Sequence, residues 1–229
     1  MINLKIGNRK IKLPNDWNEI TISKYARIVE IMKKHDVKET TDEMDDNEKN
    51  IQNFSNLKAN KECFSMLTGA DPKEIERCNY QQITYCLNKM TDFLGTQMAF
   101  DYKEDDPQHS FTFKNKTYLF PKMHLKETTF GDYIEAAQLN ILSEQNEAGR
   151  FGVLPEQMAI MCKTKDEDKE YNEKLIMKKT RLFEELPMSI VWQFVFFLTR
   201  QTNHYQKNFP IYSKTEAEYQ TDTQQKTGQ

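Results

Sequence analysis

The chain has 229 residues, of which 38% are hydrophobic and 29% are charged. This balance is typical of a globular protein with a polar surface, and it excludes the collagen-like, membrane-embedded and wholly disordered classes. A formal net charge of −3 gives no general attraction to nucleic acid, which basic proteins bind through clustered lysines and arginines. We therefore expect no direct binding of nucleic acid.

The compartment of the protein is indicated by its apolar runs and its cysteines. No apolar run of signal-peptide length follows Met1, and the longest such run, residues 188–198, is far too short to cross a bilayer. We therefore expect a cytoplasmic protein without membrane contact. The cysteines form no CxxC pair, which indicates reduced thiols that serve as small buried hydrophobic residues. They are Cys63, Cys78, Cys86 and Cys162.

Apolar and polar side chains alternate at the start of the chain. Residues 2–6 and residues 9–13 both alternate, and Gly7-Asn8 lies between them. This pattern predicts a β-hairpin. Thr21 stands where the N-cap of a helix would stand, because apolar residues follow it at helical spacing.

Acidic side chains dominate residues 36–48, where Lys38 is the one basic residue. We predict a solvated acidic loop here. The alternative interpretation is a specific site for a metal ion or for a basic partner.

Helical periodicity resumes after the acidic residues. It runs from Ile51 to Leu67 and stops at Gly69, which is a plausible C-cap. Asp71-Pro72 begins another helix, and a last helix ends near Gly95.

The pattern of residues 4–14 recurs in residues 111–121, at an offset of 107. A helix that starts with a threonine follows each copy, and the match extends to a later helix at the same offset. This recurrence predicts a tandem duplication. The equivalent pairs include Asn8 and Asn115, Arg9 and Lys116, Pro14 and Pro121, Ile83 and Ile190, and Leu87 and Phe194.

The second copy is also expected to be mostly helical. Pro155 and Pro187 suit the first turns of two of its helices. Mixed charges from Lys163 to Glu170 are interpreted as a solvent-facing helix or loop. The polar residues after Pro210 should form a segment that orders only against a partner. The predicted helices lie near 129–146, 155–163, 168–186 and 187–205.

These patterns predict a predominantly helical α+β fold with two tandem units, each a β-hairpin followed by several helices. The first unit covers residues 1–107 and contains the acidic loop 36–48. The second unit covers residues 108–209, and residues 210–229 form the polar C-terminal segment.

No motif in the sequence predicts catalysis or a bound cofactor. Phosphate-binding loops need clustered glycines, whereas the 7 glycines here are scattered. The nearest pair, Gly149 and Gly152, is interpreted as part of a turn between helices. None of the four histidines has a partner at zinc-binding spacing. We therefore expect no enzymatic activity, no cofactor and no metal. The histidines are His35, His109, His124 and His204.

Residues 188–198 are more hydrophobic than a surface helix needs to be. Their aromatic side chains point in different directions around the helix, so one amphipathic stripe cannot cover them all. We interpret this helix as the centre of the second unit's core. The alternative is that a second face binds a sister subunit or a client, because Trp and Phe anchor many protein interfaces. The candidate protein-binding residues are Trp192, Phe194, Phe196 and Phe197.

Three short stretches of residues 1–95 follow a pattern that is found in a known family. They are Pro14-Asn-Asp-Trp17-Asn-Glu-Ile-Thr21, Leu67-Thr-Gly-Ala-Asp-Pro-Lys-Glu-Ile75 and Cys78-Asn-Tyr-Gln-Gln-Ile83. In order and spacing they resemble the tail assembly chaperones of tailed bacteriophages. A typical member of that family corresponds to one such unit, whereas here the unit occurs twice and the second copy lacks Leu-Thr-Gly.

The resemblance implies a non-enzymatic phage morphogenesis protein that acts in the host cell cytoplasm. Its expected partners are tail components, such as the tape measure protein, or sister subunits. The alternative is a structural protein of the virion, in the neck, a ring or the tail. A small-molecule enzyme is a distant third possibility.

Overall fold

The computed structural model describes residues 1–7, 9–38, 41–96, 110–122, 128–167 and 172–208, with the backbone alone for 201–208. The protein is 61% helical, and the described residues form eight α-helices and two antiparallel β-hairpins. The predicted predominantly helical α+β class is confirmed. No helix in the described part of the chain is long and apolar enough to span a bilayer.

The first hairpin forms where the alternation predicts it. β1 (Ile2–Ile6) pairs with β2 (Arg9–Leu13), and the apolar side chains of both strands are buried on one face. Gly7 has a φ of 54°, a left-handed conformation that glycine adopts without steric cost. The other predicted turn residue, Asn8, lies outside the described residues.

The first helix, α1 (Ile22–Lys34), begins at the predicted threonine cap. The hydroxyl oxygen of Thr21 accepts a hydrogen bond from the amide of Lys24 at 3.4 Å. This bond satisfies one of the amides that a helix start leaves without a partner.

The acidic residues belong partly to a helix, which corrects the predicted loop 36–48. α2 (Asp46–Thr68) begins inside that range, and residues 39 and 40 lie outside the described part. The Asp45 carboxylate accepts from the amide of Glu48 at 2.8 Å, and the Glu48 carboxylate accepts from the amide of Asp45 at 2.9 Å. This capping box, together with the positive end of the helix dipole, gives the acidic residues a structural role.

The remaining helices of the first half begin and end at the predicted glycine and proline residues. α2 ends at Gly69, whose φ of 67° is left-handed. The side chain of Asp71 caps α3 (Pro72–Glu76), and α4 (Tyr80–Leu94) ends before Gly95.

A second hairpin opens the second half. β3 (Ser110–Phe113) pairs with β4 (Lys116–Leu119), and Lys114 and Asn115 between them have φ values of 45° and 65°. Two successive left-handed residues are typical of a type I′ turn, whose twist matches that of the paired strands.

Four helices follow this hairpin. A capping box at Thr129 confirms the predicted start of the first of them, because Thr129 and Asp132 exchange bonds with each other's amides. The helices are α5 (Phe130–Ser143), α6 (Arg150–Met161), α7 (Glu173–Phe183) and α8 (Met188–Asn208).

The predicted start of α6 was wrong. Gly149 has a φ of 55° and precedes the helix, so Gly152 lies in its first turn and not in a loop. Pro155 lies inside the helix, where its missing N–H removes one hydrogen bond. Pro155 is the sixth residue of α6, and its buried ring packs in the interior.

The two predicted units share one continuous hydrophobic core. Helix α1 of the first half packs on α2 and also on α6 and α8 of the second half. The amide of Ile22 donates to the carbonyl of Leu186 at 2.9 Å, and the amide of Met188 donates to the carbonyl of Ile20 at 2.8 Å. The predicted boundary at residue 107 and the C-terminal segment 210–229 lie outside the described residues.

The order of two strands and four helices occurs twice along the chain. Order alone does not establish a common origin, so the tandem duplication stays a prediction. It requires that the backbones of the two halves superpose at the offset of 107 residues that the sequence indicates.

The left-handed turn at Gly69 generates a stability prediction. Replacing Gly69 by Ala should cost about 1 kcal/mol of unfolding free energy, because the new Cβ finds open space but the φ of 67° remains strained. Gly131→Ala is the control, since Gly131 lies in α5 with an ordinary φ and should gain up to about 1 kcal/mol. Urea unfolding measures the change in unfolding free energy for each variant. Equal changes in the two variants would contradict the explanation from the φ of Gly69.

Candidate functional site

The four predicted binding residues of α8 occupy different environments. Phe194 and Phe197 are 0% and 4% exposed, so both are core residues within a single chain. Trp192 is half-buried, whereas 40% of Phe196 is exposed. Binding of a partner by α8 stays a prediction, and Phe196 is the member of the set that offers a partner a large surface.

Trp192 takes part in an aromatic cluster where the two halves meet. Its ring centroid lies 6.0 Å from that of Trp17, 5.7 Å from that of Tyr25 and 5.5 Å from that of Phe151. All three pairs are edge-on, which places the positive ring edge against the negative face, and each adds about 0.5–1.5 kcal/mol beyond the burial of its area. Trp192 therefore holds the halves of the chain together.

The outward side of α5 carries a row of apolar side chains. The buried residues of this helix, which include Ala136 and Leu139, lie on the side that packs against α6. At 3.6 residues per turn, the row lies on the opposite side of the helix. Phe130 is 78% exposed, Ile134 39% and Ile141 68%. We call this surface the α5 outer face; it consists of Phe130, Tyr133, Ile134, Ala137 and Ile141.

A second apolar surface lies on the first half of α2. Ile51, Phe54 and Leu57 are 61%, 58% and 51% exposed, and their spacing of three residues forms one ridge along the helix. The Lys58 ammonium lies 4.3 Å from the ring centroid of Phe54, which leaves the aliphatic part of the ridge open. We call these three residues the α2 ridge.

The α2 ridge lies outside the core, although its residues share the helical periodicity of α2. The buried hydrophobic residues of α2 all lie in its second half, from Ala59 onward, and Gln52 is the one buried residue of the first half. Apolar residues spread too widely around α2 for one neighbouring layer to cover them. This spread is the sequence feature that could have predicted an exposed apolar surface on α2. The sequence of α5 has the same feature, because this helix is apolar on two opposite sides.

The predicted solvent-facing charge patch contains two inward-facing ion pairs, which corrects that interpretation. Lys179 Nζ donates to Glu167 Oε1 at 2.7 Å and to the carbonyl of Cys162 at 2.9 Å. Lys163 Nζ donates to the buried carboxylate of Asp132 at 2.7 Å. Burial lowers the pKa of Lys179, and the bond to Glu167 acts in the opposite direction. These contacts fasten α7 and the end of α6 to each other and to α5.

The histidines and cysteines gather no metal site in the described residues. No group of three potential metal ligands occurs there. His35 Nε2 lies 2.9 Å from Glu62 Oε2, and this contact, together with Lys34, lowers the pKa of Glu62. His109 and His124 lie outside the described residues, as does the side chain of His204.

Burial makes three of the cysteine thiols favour their protonated form. Burial raises the pKa of Cys63 to about 12 and also raises the pKa of Cys162 and Cys86. Protonated buried thiols are poor nucleophiles. The described structure therefore gives these three cysteines the character of the small core residues that the sequence predicts.

One cavity of the described residues adjoins the ion pairs. It measures about 280 Å³, and Asp132, Lys163 and Glu167 line it together with Phe120. The charged groups there already bond to each other. A second cavity of about 420 Å³ is lined mainly by the charged side chains of α1, among them Arg27 and Lys34, and by Glu62.

No protein-family model, curated protein or solved structure matches the chain.

The different burial of Phe194 and Phe196 on α8 predicts different effects of their replacement on stability. Phe194→Ala should lower the unfolding free energy by about 3–5 kcal/mol, because it empties a fully buried site. Phe196→Ala should cost roughly half of that or less, since 40% of its side chain is already exposed. Urea denaturation measures both, and equal losses would show that Phe196 is a core residue as well.

The buried ion pair of α7 gives a second prediction. Lys179→Met should destabilise the fold by about 3–5 kcal/mol, because it leaves the Glu167 carboxylate buried without its cation. The double variant Lys179→Met, Glu167→Leu removes both charges and should recover most of the loss. Thermal and urea unfolding test this pair of results, and a double variant as unstable as the single one would contradict the electrostatic reason.

Proposed function

We propose that the protein is a non-enzymatic phage morphogenesis protein that binds tail components during assembly, in the manner of a tail assembly chaperone. The observation that carries the proposal is the α2 ridge, an apolar surface that the chain's own fold leaves open to a partner. Its three side chains are each more than half exposed. The phage context rests on the resemblance of residues 1–95.

The magnitude of this apolar surface suits reversible binding. Full burial of one such side chain contributes about 1.5–3 kcal/mol, so covering the exposed half of three of them contributes roughly 2–5 kcal/mol. A micromolar complex needs about 8 kcal/mol in total. The ridge alone therefore supports a weak complex, and a client must make further contacts nearby.

Acidic side chains next to the ridge are suited to supply those contacts. Asp46 is exposed in the first turn of α2, and Asp42 and Glu43 are exposed just before the helix begins. They attract a basic segment over a longer range than apolar contacts do, and such charges raise association rates more than final affinity. The favoured client segment is therefore apolar with basic residues on either side. This agrees with the alternative interpretation of residues 36–48 as a site for a basic partner.

Binding rather than catalysis is favoured by how the reactive groups are used. Lys179 and Lys163 both bond to carboxylates, and burial raises the pKa of three cysteines. A small-molecule enzyme stays the distant alternative. The cavity beside Lys163 would be its place, because charged groups and an apolar wall meet there.

A structural protein of the virion is the second candidate function. Exposed apolar helix faces suit a permanent subunit of a neck, ring or tail as well as they suit a chaperone, since both bury such faces against partners. Detection of the chain in purified virions would favour the structural role. Detection only in the lysate of infected cells would favour the chaperone, which acts in the host cytoplasm.

The test of the proposal is recovery of tail components on the tagged chain from phage-infected cells. We expect the tape measure protein or another tail protein to co-purify with the native chain. The double variant Ile51→Gln, Phe54→Gln should recover at least about tenfold less, because it removes two of the three apolar contacts. Both side chains are exposed, so folding stability should change by less than about 1 kcal/mol.

Asn53→Ala is the matched control, because Asn53 is exposed on the same stretch of α2 but is polar. It should bind like the native chain. A native chain that recovers no phage structural protein would refute the proposed function. A double variant that binds as well as the control would show that clients use another surface.

A further inference from the structure

Helix α5 is apolar on two opposite sides, and the described fold covers one of them. Its inner side packs against α6, and the side-chain Nε2 of Gln157 on α6 donates to the carbonyl of Ala136 at 2.8 Å. The α5 outer face has no neighbouring element among the described helices with substantial contact. A helix that is apolar all round is normally buried, so we expect another surface to pack against the α5 outer face.

The spacing of the outer face is symmetrical along the helix. Its central row is Phe130, Ile134, Ala137 and Ile141, with steps of four, three and four residues. Steps of four and three are those of a helix seam that faces another helix. Reversing the direction of the helix reproduces the same steps, so the row can pair with an antiparallel copy of itself.

The side-chain sizes also fit such a pair. About a two-fold axis through the middle of the row, Phe130 lies level with the partner's Ile141, and Ile134 lies level with the partner's Ala137. The small Ala137 leaves room for the larger Ile134 on the facing helix, as close packing requires. An isologous contact of this kind closes at two copies.

The charges of α5 favour a second copy over a charged partner. The helix contains no lysine or arginine, and its outer row contains no charged residue. Asp132 is buried and bonded to Lys163, and Glu135 is half-buried away from the row. A basic or acidic partner would find no complementary charge there, whereas an identical neutral face meets no like charge.

The area of the face suits a dimer that forms and dissociates readily. A buried aromatic side chain covers about 150–250 Å², so Phe130 and Tyr133, at 78% and 45% exposed, offer roughly 250 Å² in each copy. Ile134 and Ile141 add a smaller area, because 39% and 68% of these smaller side chains are exposed. Two copies would bury roughly 800 Å² in all, which is the size of a weak, reversible interface.

We propose that the protein forms a two-fold dimer in which the α5 outer faces of two copies pack antiparallel. This inference goes beyond the proposed function, and it rests on a different helix from the α2 ridge. Failure of either proposal leaves the other standing, because α1 and α6 separate the two helices in the order of helix contacts.

The first experiment measures the molar mass of the full chain by sedimentation equilibrium. We expect a dimer that dissociates on dilution. Phe130→Glu should weaken it about a hundredfold or more, because two carboxylates would be buried against apolar side chains. Glutamate suits the start of a helix, and Phe130 is 78% exposed, so the variant should fold normally. Tyr85→Glu on α4 is the control, since Tyr85 is also exposed, and it should leave the dimer unchanged.

The second experiment tests the antiparallel direction. Ile141→Lys alone should weaken the dimer as Phe130→Glu does. A mixture of the two variants should form the heterodimer preferentially, because the introduced carboxylate then lies level with the introduced ammonium while the other end keeps its native pair. In a parallel pair these positions would lie about 16 Å apart along the axis, at 1.5 Å per residue, and mixing would restore nothing.

Several results would overturn the proposal. A native chain that stays monomeric up to about 1 mM would do so, since a weaker complex has a binding free energy of less than about 4 kcal/mol. A dimer that survives both substitutions would place the contact elsewhere. A monomer that Phe130→Glu destabilises strongly would show that another segment of the chain covers α5. Circular dichroism of each variant separates loss of folding from loss of pairing.

Discussion

The packing of α1 between the two halves of the chain is the constraint on which the rest of the structure depends. α1 contacts α2 on one side and α6 and α8 on the other, so it is common to both parts of the core. The cluster of Trp17, Tyr25, Phe151 and Trp192 fills this joint, and the backbone bridge between Thr21 and Pro187 fixes its register. Aromatic rings have few rotatable bonds, so they hold such a joint at low entropic cost.

The position of α1 also determines which surfaces stay open. In the order of helix contacts α1 and α6 lie in the middle, α2 packs on α1, α3, α4 and β2 at one end, and α5 packs on α6 at the other. Both α2 and α5 carry more apolar residues than these neighbours cover. The α2 ridge and the α5 outer face therefore follow from the layer order of the helices, and both proposals of partner binding depend on it.

The charged groups that might have suggested chemistry are used to hold this arrangement. Asp45 and Glu48 cap α2, Asp132 caps α5 and pairs with Lys163, and Lys179 joins α7 to Glu167. A buried pair contributes little net stability, but removal of one partner leaves an uncompensated charge. The pair of Asp132 with Lys163 lies on the buried side of α5, and the α5 outer face lies on the opposite side of that helix.

The sequence by itself determined the local elements, because caps and turns depend on neighbouring residues. Thr21, Thr129 and Gly69 begin or end helices as predicted, and alternation places both hairpins. It did not place the start of α6, where a left-handed Gly149 outweighs the preference of Pro155 for a first turn. Which apolar residues are buried was decided by tertiary packing alone: Phe194 and Phe54 look alike in a helical pattern, but one is enclosed by the core and the other is more than half exposed. Periodicity gives the direction of a side chain around its own helix, and burial depends on how many neighbours surround that helix.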